Sequence, residues 1–195
     1  MTTKSKNNFR GLTLIEVIIS ITILSLILLI VYSSLTLSRR SYIEGENIAE
    51  ITQNGRVILE RLSREIRQAK EIVTELPDVL DSEIPEGAKS EIEFEDGHIS
   101  APYHYIHYFK EDNKIWREVI GYYFSGDSDE TLVPWDAQPP ENQTLEKKTL
   151  EEAKIIGECV TDLKLWGLRV INTFITLEKY NKKIELSAKV FGRNL

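Results

Sequence analysis

The stretch FRGLTLIEVIISITILSLILLIVYSSLTLS, residues 9–38, decides how this chain folds. From residue 17 to residue 38 it contains no Asp, Glu, Lys or Arg. As helix at 1.5 Å per residue that run covers about 33 Å, enough for a hydrocarbon core of about 30 Å. It predicts a membrane-spanning helix. The residues before it carry Lys4, Lys6 and Arg10 and no acid, so the positive-inside rule puts the N-terminus in the cytoplasm and the bulk of the chain outside. A secretory signal peptide has an apolar region of about 7–15 residues followed by a small-x-small site. This run is longer, and Thr36-Leu37-Ser38 is a poor cleavage site. A plain signal anchor fits the length but leaves Glu16 unexplained. An intramembrane carboxylate costs about 2.5–3.5 kcal/mol at mid-bilayer and less near the interface, so Glu16 either has a partner or snorkels to the headgroups.

Beyond Ser38 the chain becomes charged while keeping a helical period. Ile48, Ile51, Gly55, Ile58, Leu62, Ile66, Ala69 and Val73 recur at intervals of three or four, one apolar stripe. Arg56, Arg61, Arg64 and Arg67 alternate with Glu60, Glu65 and Glu71 on the other faces, the pattern of a solvated surface with local ion pairs. Gly45 is the expected bend. The first proline is Pro77, so the pattern predicts one helix from residue 12 to about residue 73. Its first half needs lipid or neighbouring helices, and its second half needs a domain to pack on.

From residue 74 onward short alternating runs are bounded by turn residues. Ile92, Phe94 and Ile99 flank Asp96-Gly97, a hairpin-turn dipeptide. Residues 103–109 and 115–124 read as a second strand pair rich in Tyr and Trp. Residues 160–168, 173–180 and 183–191 read as three more strands, the last two joined around Asn181. Residues 125–144 are loop-like, and residues 145–156 read as a short helix stopped at Gly157. The expected fold is α+β: a long N-terminal helix, transmembrane in its first half and amphipathic in its second, packed on an antiparallel β-sheet head.

Composition narrows the function. The 195 residues carry 24 Lys and Arg against 31 Asp and Glu, a net charge of -7, which disfavours direct nucleic-acid binding because phosphate contacts need clustered cations. Loss of Lys4, Lys6 and Arg10 would make the balance more negative still. The single Cys159 permits no intramolecular disulfide and reads as a structural thiol. His104-x-x-His107 is a poor bidentate pair on a strand, where positions three apart face opposite ways. No HExxH, Walker loop, nucleophile elbow or dinucleotide fingerprint is present, so no enzyme and no cofactor is expected. Asp127, Asp129 and Glu130 are weak calcium candidates, lacking the spacing of an EF-hand loop. Asn142-Gln143-Thr144 matches a glycosylation sequon, a tripeptide common by chance.

The run Phe9-Arg10-Gly11-Leu12-Thr13-Leu14-Ile15-Glu16-Val17 resembles the processing site of type IV prepilins and type II secretion pseudopilins. The resemblance implies a leader over residues 1–11, cut by a prepilin peptidase between Gly11 and Leu12, and a Leu12 terminus that is then N-methylated. Leu12 stands where Phe is most frequent in that family. Glu16 becomes the acid at the fifth mature position, implied to act in assembly. The further divisions expected are a transmembrane and assembly helix over 12–38, its amphipathic continuation over 39–73, and a β-rich head over 74–195. The Arg-rich run 55–70, Trp116-Arg117-Glu118 and the ending Phe191-Gly192-Arg193-Asn194 are similar to J-type minor pseudopilins and W-type minor pilins. The retained Glu16 speaks against the K-type tip subunit, which usually lacks that acid.

The implied role is that of a non-enzymatic minor pilin or pseudopilin in the tip or priming complex of a type II secretion or type IV pilus machine. The implied partners are the prepilin peptidase, other minor and major pilins or pseudopilins, and an inner-membrane assembly platform. The implied location is the inner membrane, single-pass, with the head extracytoplasmic and at the filament tip after assembly. The rival is a singly anchored extracytoplasmic sensor or binding domain that keeps its N-terminus. Glu16 and the Gly11-Leu12 junction speak against that rival.

Overall fold

A computed structural model of the chain describes residues 13–79, 83–97 and 103–192. The fold is α+β: helix α1 (Leu14–Gln68) and seven strands in two antiparallel sheets. One sheet has the order β1 (Glu91–Glu95), β2 (Tyr105–Glu111), β3 (Lys114–Phe124), β4 (Leu145–Glu158). The other has the order β5 (Val160–Trp166), β6 (Val170–Lys179), β7 (Lys182–Phe191). The chain divides into two compact units, one ending at Glu46 and the other beginning at Asn47.

The described part of the first unit is helix with side chains exposed nearly throughout. Leu14, Leu29, Ile30 and Leu37 are each more than half exposed. Several of its hydroxyls are satisfied within the helix: those of Ser20, Thr22 and Ser25 donate to the carbonyls of Glu16, Ile18 and Ile21 at 2.7–2.8 Å. That economy suits an apolar solvent, in which an unpaired donor is costly. α1 is the one helix among the described residues long and apolar enough to cross a membrane. It remains helical at Gly45.

In the second unit the expected stripe forms the core. Ile51, Gly55, Ile58, Leu62 and Ile66 of α1 are buried, and so is Ala69 just beyond it. They meet Ile92, Phe94, Ile106, Tyr108, Ile115 and Val119 of the first sheet. From the second sheet come Val160, Leu163, Leu165, Ile171, Ile175, Leu177 and Val190. Ile48, at the start of the stripe, is 41% exposed. The helix ends at Gln68 and not near Val73. Lys70 N–H donates to the carbonyl of Glu95, Val73 N–H to that of Glu93, and Glu95 N–H to that of Glu71, so residues 70–74 run beside β1. Ile72 and Val73 continue the helical spacing in sequence, but the open edge of β1 captures their backbone.

The two sheets join where the chain passes from β4 to β5. Cys159 alone separates these strands, at φ 63°, and its carbonyl accepts from Glu178 N–H at 2.8 Å. A paired bridge between Lys89 and Leu165 ties the segment before β1 to β5. β6 and β7 are joined by Tyr180-Asn181, both at positive φ as a type I′ hairpin requires. The hairpin expected at Asp96-Gly97 is instead a longer connection, since β2 begins at Tyr105 and pairs Tyr105 with Glu95.

Residues 145–156, expected as helix, lie in β4. The reason is visible in its pairing with β3, which has register shifts at three places. Each extra residue in β4 moves the inward positions, so Leu145, Leu150, Ala153 and Ile156 are the half-buried ones, spaced five, three and three apart. Bulged strand therefore imitates helical periodicity. Gly157 follows, buried, where an added Cβ would collide with Ile58 of α1.

Candidate functional site

The two residues expected to be processed, Gly11 and Leu12, lie outside the described residues. Thr13 is the first described, and its carbonyl accepts from Glu16 N–H at 3.1 Å and Val17 N–H at 3.2 Å, opening α1. Glu16 is therefore the third helical residue and the acid of the first turn. A carboxylate there faces the positive end of the helix dipole. Thr13-x-x-Glu16 also has capping-box spacing, a local signal that sequence reading missed beside the stronger one of an acid before an apolar run. Glu16 is exposed, as are its neighbours Leu14, Ile15 and Ile18. The segment thus presents one carboxylate at the end of an apolar surface that no other described residue of its own unit covers.

In the head, two clusters of ionisable groups hold elements together. Glu65 of α1 accepts from Tyr108 Oη at 2.8 Å, Arg117 Nε at 3.0 Å and Arg61 Nε at 3.3 Å. Arg117 reaches Glu151 of β4 as well, at 3.5 Å. One carboxylate therefore links the helix to β2 and β3, and through Arg117 to β4. Burial pushes the Tyr108 hydroxyl well above its ordinary pKa, and Glu65 pushes it further. Burial pulls the Arg117 guanidinium down, but the hydrogen bond and charge of Glu65 outweigh this and the net shift is upward. The Arg-rich run expected as a wet helix face thus contributes Arg61, with Glu65, to a half-dry interface.

A second cluster surrounds Glu93 of β1, which is 5% exposed. It accepts from Tyr122 Oη and from Lys147 Nζ, the latter at 2.9 Å. Desolvation raises the Tyr122 hydroxyl, and the Glu93 carboxylate adds to the effect. Tyr105 stands edge-on to Tyr122, and burial lifts its hydroxyl to about 12. That hydroxyl accepts from Trp135 N–H at 3.0 Å, while Val133 N–H donates to the carbonyl of Tyr122 at 2.8 Å. These bonds pin the 125–144 loop to the sheet.

The weak metal candidates are placed as follows. Asp127 accepts from Asp129 N–H and Thr131 N–H, both at 2.9 Å, and bonds from Thr131 and Asp129 hold its carboxyl below the usual range. Glu130 pairs with Lys148 at 2.5 Å. The Asp127 and Glu130 carboxylates are thus engaged with their own loop and a neighbouring strand, while Asp129 contributes its backbone N–H. His107 lies between two carboxylates on adjacent strands, Glu118 at 2.9 Å and Glu91 at 3.4 Å, and stacks on Phe109. His104 precedes β2 and is not brought to the same cluster. Among the described residues no group of three or more His, Cys, Asp or Glu is placed to hold a metal ion. One recessed apolar surface of the head is a groove of about 380 Å³ lined by Ile72, Val73, Leu76, Trp135 and Leu168 among others.

Residues 6–32 match the family model described as the prokaryotic N-terminal methylation motif, which is typical of type IV prepilins and pseudopilins. The match covers Gly11, Leu12, Glu16 and the first turns of α1. No curated protein and no solved structure matches the chain.

Proposed function

We propose that this chain is a minor pilin or pseudopilin that is cut between Gly11 and Leu12, N-methylated at Leu12 and assembled through α1 with sister subunits. The observation that carries this reading is the methylation motif over residues 6–32, joined to Glu16 in the first turn of a helix whose apolar side chains are exposed. In an assembled bundle of α1 helices, the ammonium that cleavage leaves at Leu12 would lie in a medium of low dielectric. An isolated charge there is costly, and a carboxylate from a neighbouring copy would compensate it. Glu16 is one turn away along the chain, so pairing between subunits would select one axial stagger. Both charges would be tolerated together and neither alone.

The head has the complement of such a subunit: a core that covers one side of the extra-membrane helix, and surface free for sister subunits or cargo. Its ionisable clusters act in packing, which fits an assembly component and no catalyst. The subfamily is the J-type pseudopilin or W-type minor pilin, on Trp116-Arg117-Glu118 and the Arg-rich helix. The location is the inner membrane with the head outside, then the filament tip, with the peptidase, other pilins and the assembly platform as partners.

The test is the intact mass and N-terminal sequence of the protein from membranes of cells with and without a prepilin peptidase. A chain beginning at Leu12 with one added methyl group, dependent on the peptidase, is expected. A chain beginning at Met1, or cut near Ser38, would overturn the reading in favour of a membrane-anchored sensor or a secreted domain. Glu16→Ala should still be cleaved and should fail to co-assemble with sister subunits; normal co-assembly would remove Glu16 from the mechanism.

A further inference from the structure

The outer end of the apolar helix has its own pattern. Arg39 and Arg40 are exposed, and no ion pair among the described residues engages either. Tyr32 and Tyr42 flank them, 70% and 72% exposed. At about 100° per residue, Tyr32, Arg39 and Tyr42 fall within about 80° of one another on the helix, while Arg40 points about 100° away from Arg39. Two cations therefore cover two sides of the helix, and one of them is bracketed by phenols. Glu44 and Glu46 follow about 6–10 Å further along the axis.

The spacing matches a bilayer. Glu16 and Arg39 are 23 residues apart in one helix, about 35 Å. A hydrocarbon core of about 30 Å within a total thickness of about 40–45 Å fits between them, which leaves both charged ends among the headgroups. Tyr32, about 10 Å inward of Arg39, then lies within the hydrocarbon, and Tyr42, about 4–5 Å outward of Arg39, lies in the headgroup layer. Glu44 and Glu46 extend beyond the phosphates. An arginine guanidinium in that layer presents its planar donors to phosphate oxygens.

We propose that Arg39 and Arg40, with Tyr42 beside Arg39, form a binding site for the phosphate headgroups of anionic phospholipid in the outer leaflet of the membrane that α1 crosses. The site rests on the membrane-spanning part of the function proposed above. It holds the subunit at one depth before assembly, and leaving the bilayer breaks its phosphate contacts. A neighbouring subunit's carboxylate would use the same charges without any preference between lipids, which is what the test reads.

The test uses the full chain in nanodiscs with equal mole fractions of phosphatidylglycerol and phosphatidylcholine, released into a native mass spectrometer. The expected result is enrichment of phosphatidylglycerol adducts by up to about thirtyfold, from two arginines at the surface. Added salt before release should lower it. R39Q/R40Q should abolish the enrichment, and R39K/R40K should retain most of it. Equal adducts of the two lipids on the wild-type chain would overturn the site, as would unchanged enrichment in R39Q/R40Q. If R39Q/R40Q keeps its lipid but loses co-assembly with sister subunits, the arginines serve a protein neighbour and the lipid site is wrong. Carbonate extraction and N-terminal mass of the same samples report membrane spanning and processing separately, so failure of the proposed function is distinguishable from failure of the lipid site.

Discussion

Glu65 accepts from three side-chain donors, and these partners come from three different elements. Removing Arg117 would leave a carboxylate that is 14% exposed with only Tyr108 and Arg61 as donors. Breaking such a pair is expected to cost about 3 kcal/mol, read as a lower urea midpoint for Arg117→Ala. Lys183→Ala, which breaks the exposed pair with Glu185, should change stability by less than about 0.5 kcal/mol. The buried phenols make a prediction about pH. Tyr105, Tyr108 and Tyr122 all have hydroxyls raised above 10.0, so the folded state holds their protons more tightly than the unfolded chain does. Their contribution to stability is complete below the unfolded value and is lost as pH rises through the folded one. Urea midpoints should therefore fall from about pH 10 towards pH 12, and less steeply in Tyr105→Phe, which has no proton to lose. None of these partnerships was legible in the sequence. Glu65 reads like any other acid on a charged helix, because what distinguishes it is the proximity of Tyr108 and Arg117, 43 and 52 residues away.

The elements show where periodicity succeeds and where it misleads. The α1 stripe is regular, and Ile51, Gly55, Ile58, Leu62 and Ile66 are buried as their spacing predicts. β4 misleads because its bulges move the inward residues onto helix-like intervals. Two glycines test this scale with opposite signs. Gly157→Ala places a methyl against Ile58 and should destabilise the head by about 1–3 kcal/mol, seen as a lower melting temperature. Gly45 has open space around its Cβ position and lies before the second unit begins. Gly45→Ala should favour local helix by about 0.5–1 kcal/mol, raising helical circular dichroism without moving the melting temperature of the head.

On the scale of the whole molecule, two environments divide the chain. The unit that begins at Asn47 contains the described hydrophobic core, whereas the unit ending at Glu46 exposes its apolar side chains. Residues 47–195 alone should therefore fold as a soluble domain with a cooperative melt, and the full chain should require detergent or lipid. Size-exclusion chromatography and thermal circular dichroism of the two would check this; aggregation of 47–195 would show that its core depends on the earlier helix. The long apolar helix segment, the methylation motif and the amphipathic stripe are all local patterns, because each depends on residues within a few turns of one another. Charge, hydropathy and spacing along the chain suffice to express them. The end of the helix at Gln68, the strand character of β4, and the burial of Glu65 and Glu93 depend on partners distant in sequence. There β1 takes over the backbone of residues 70–74, β3 imposes pairing on 145–158, and tyrosines from other strands complete the carboxylate clusters. Those outcomes were settled by which groups meet across the folded core, since hydrogen-bond demand at an open sheet edge outweighs the weaker local preference for helix.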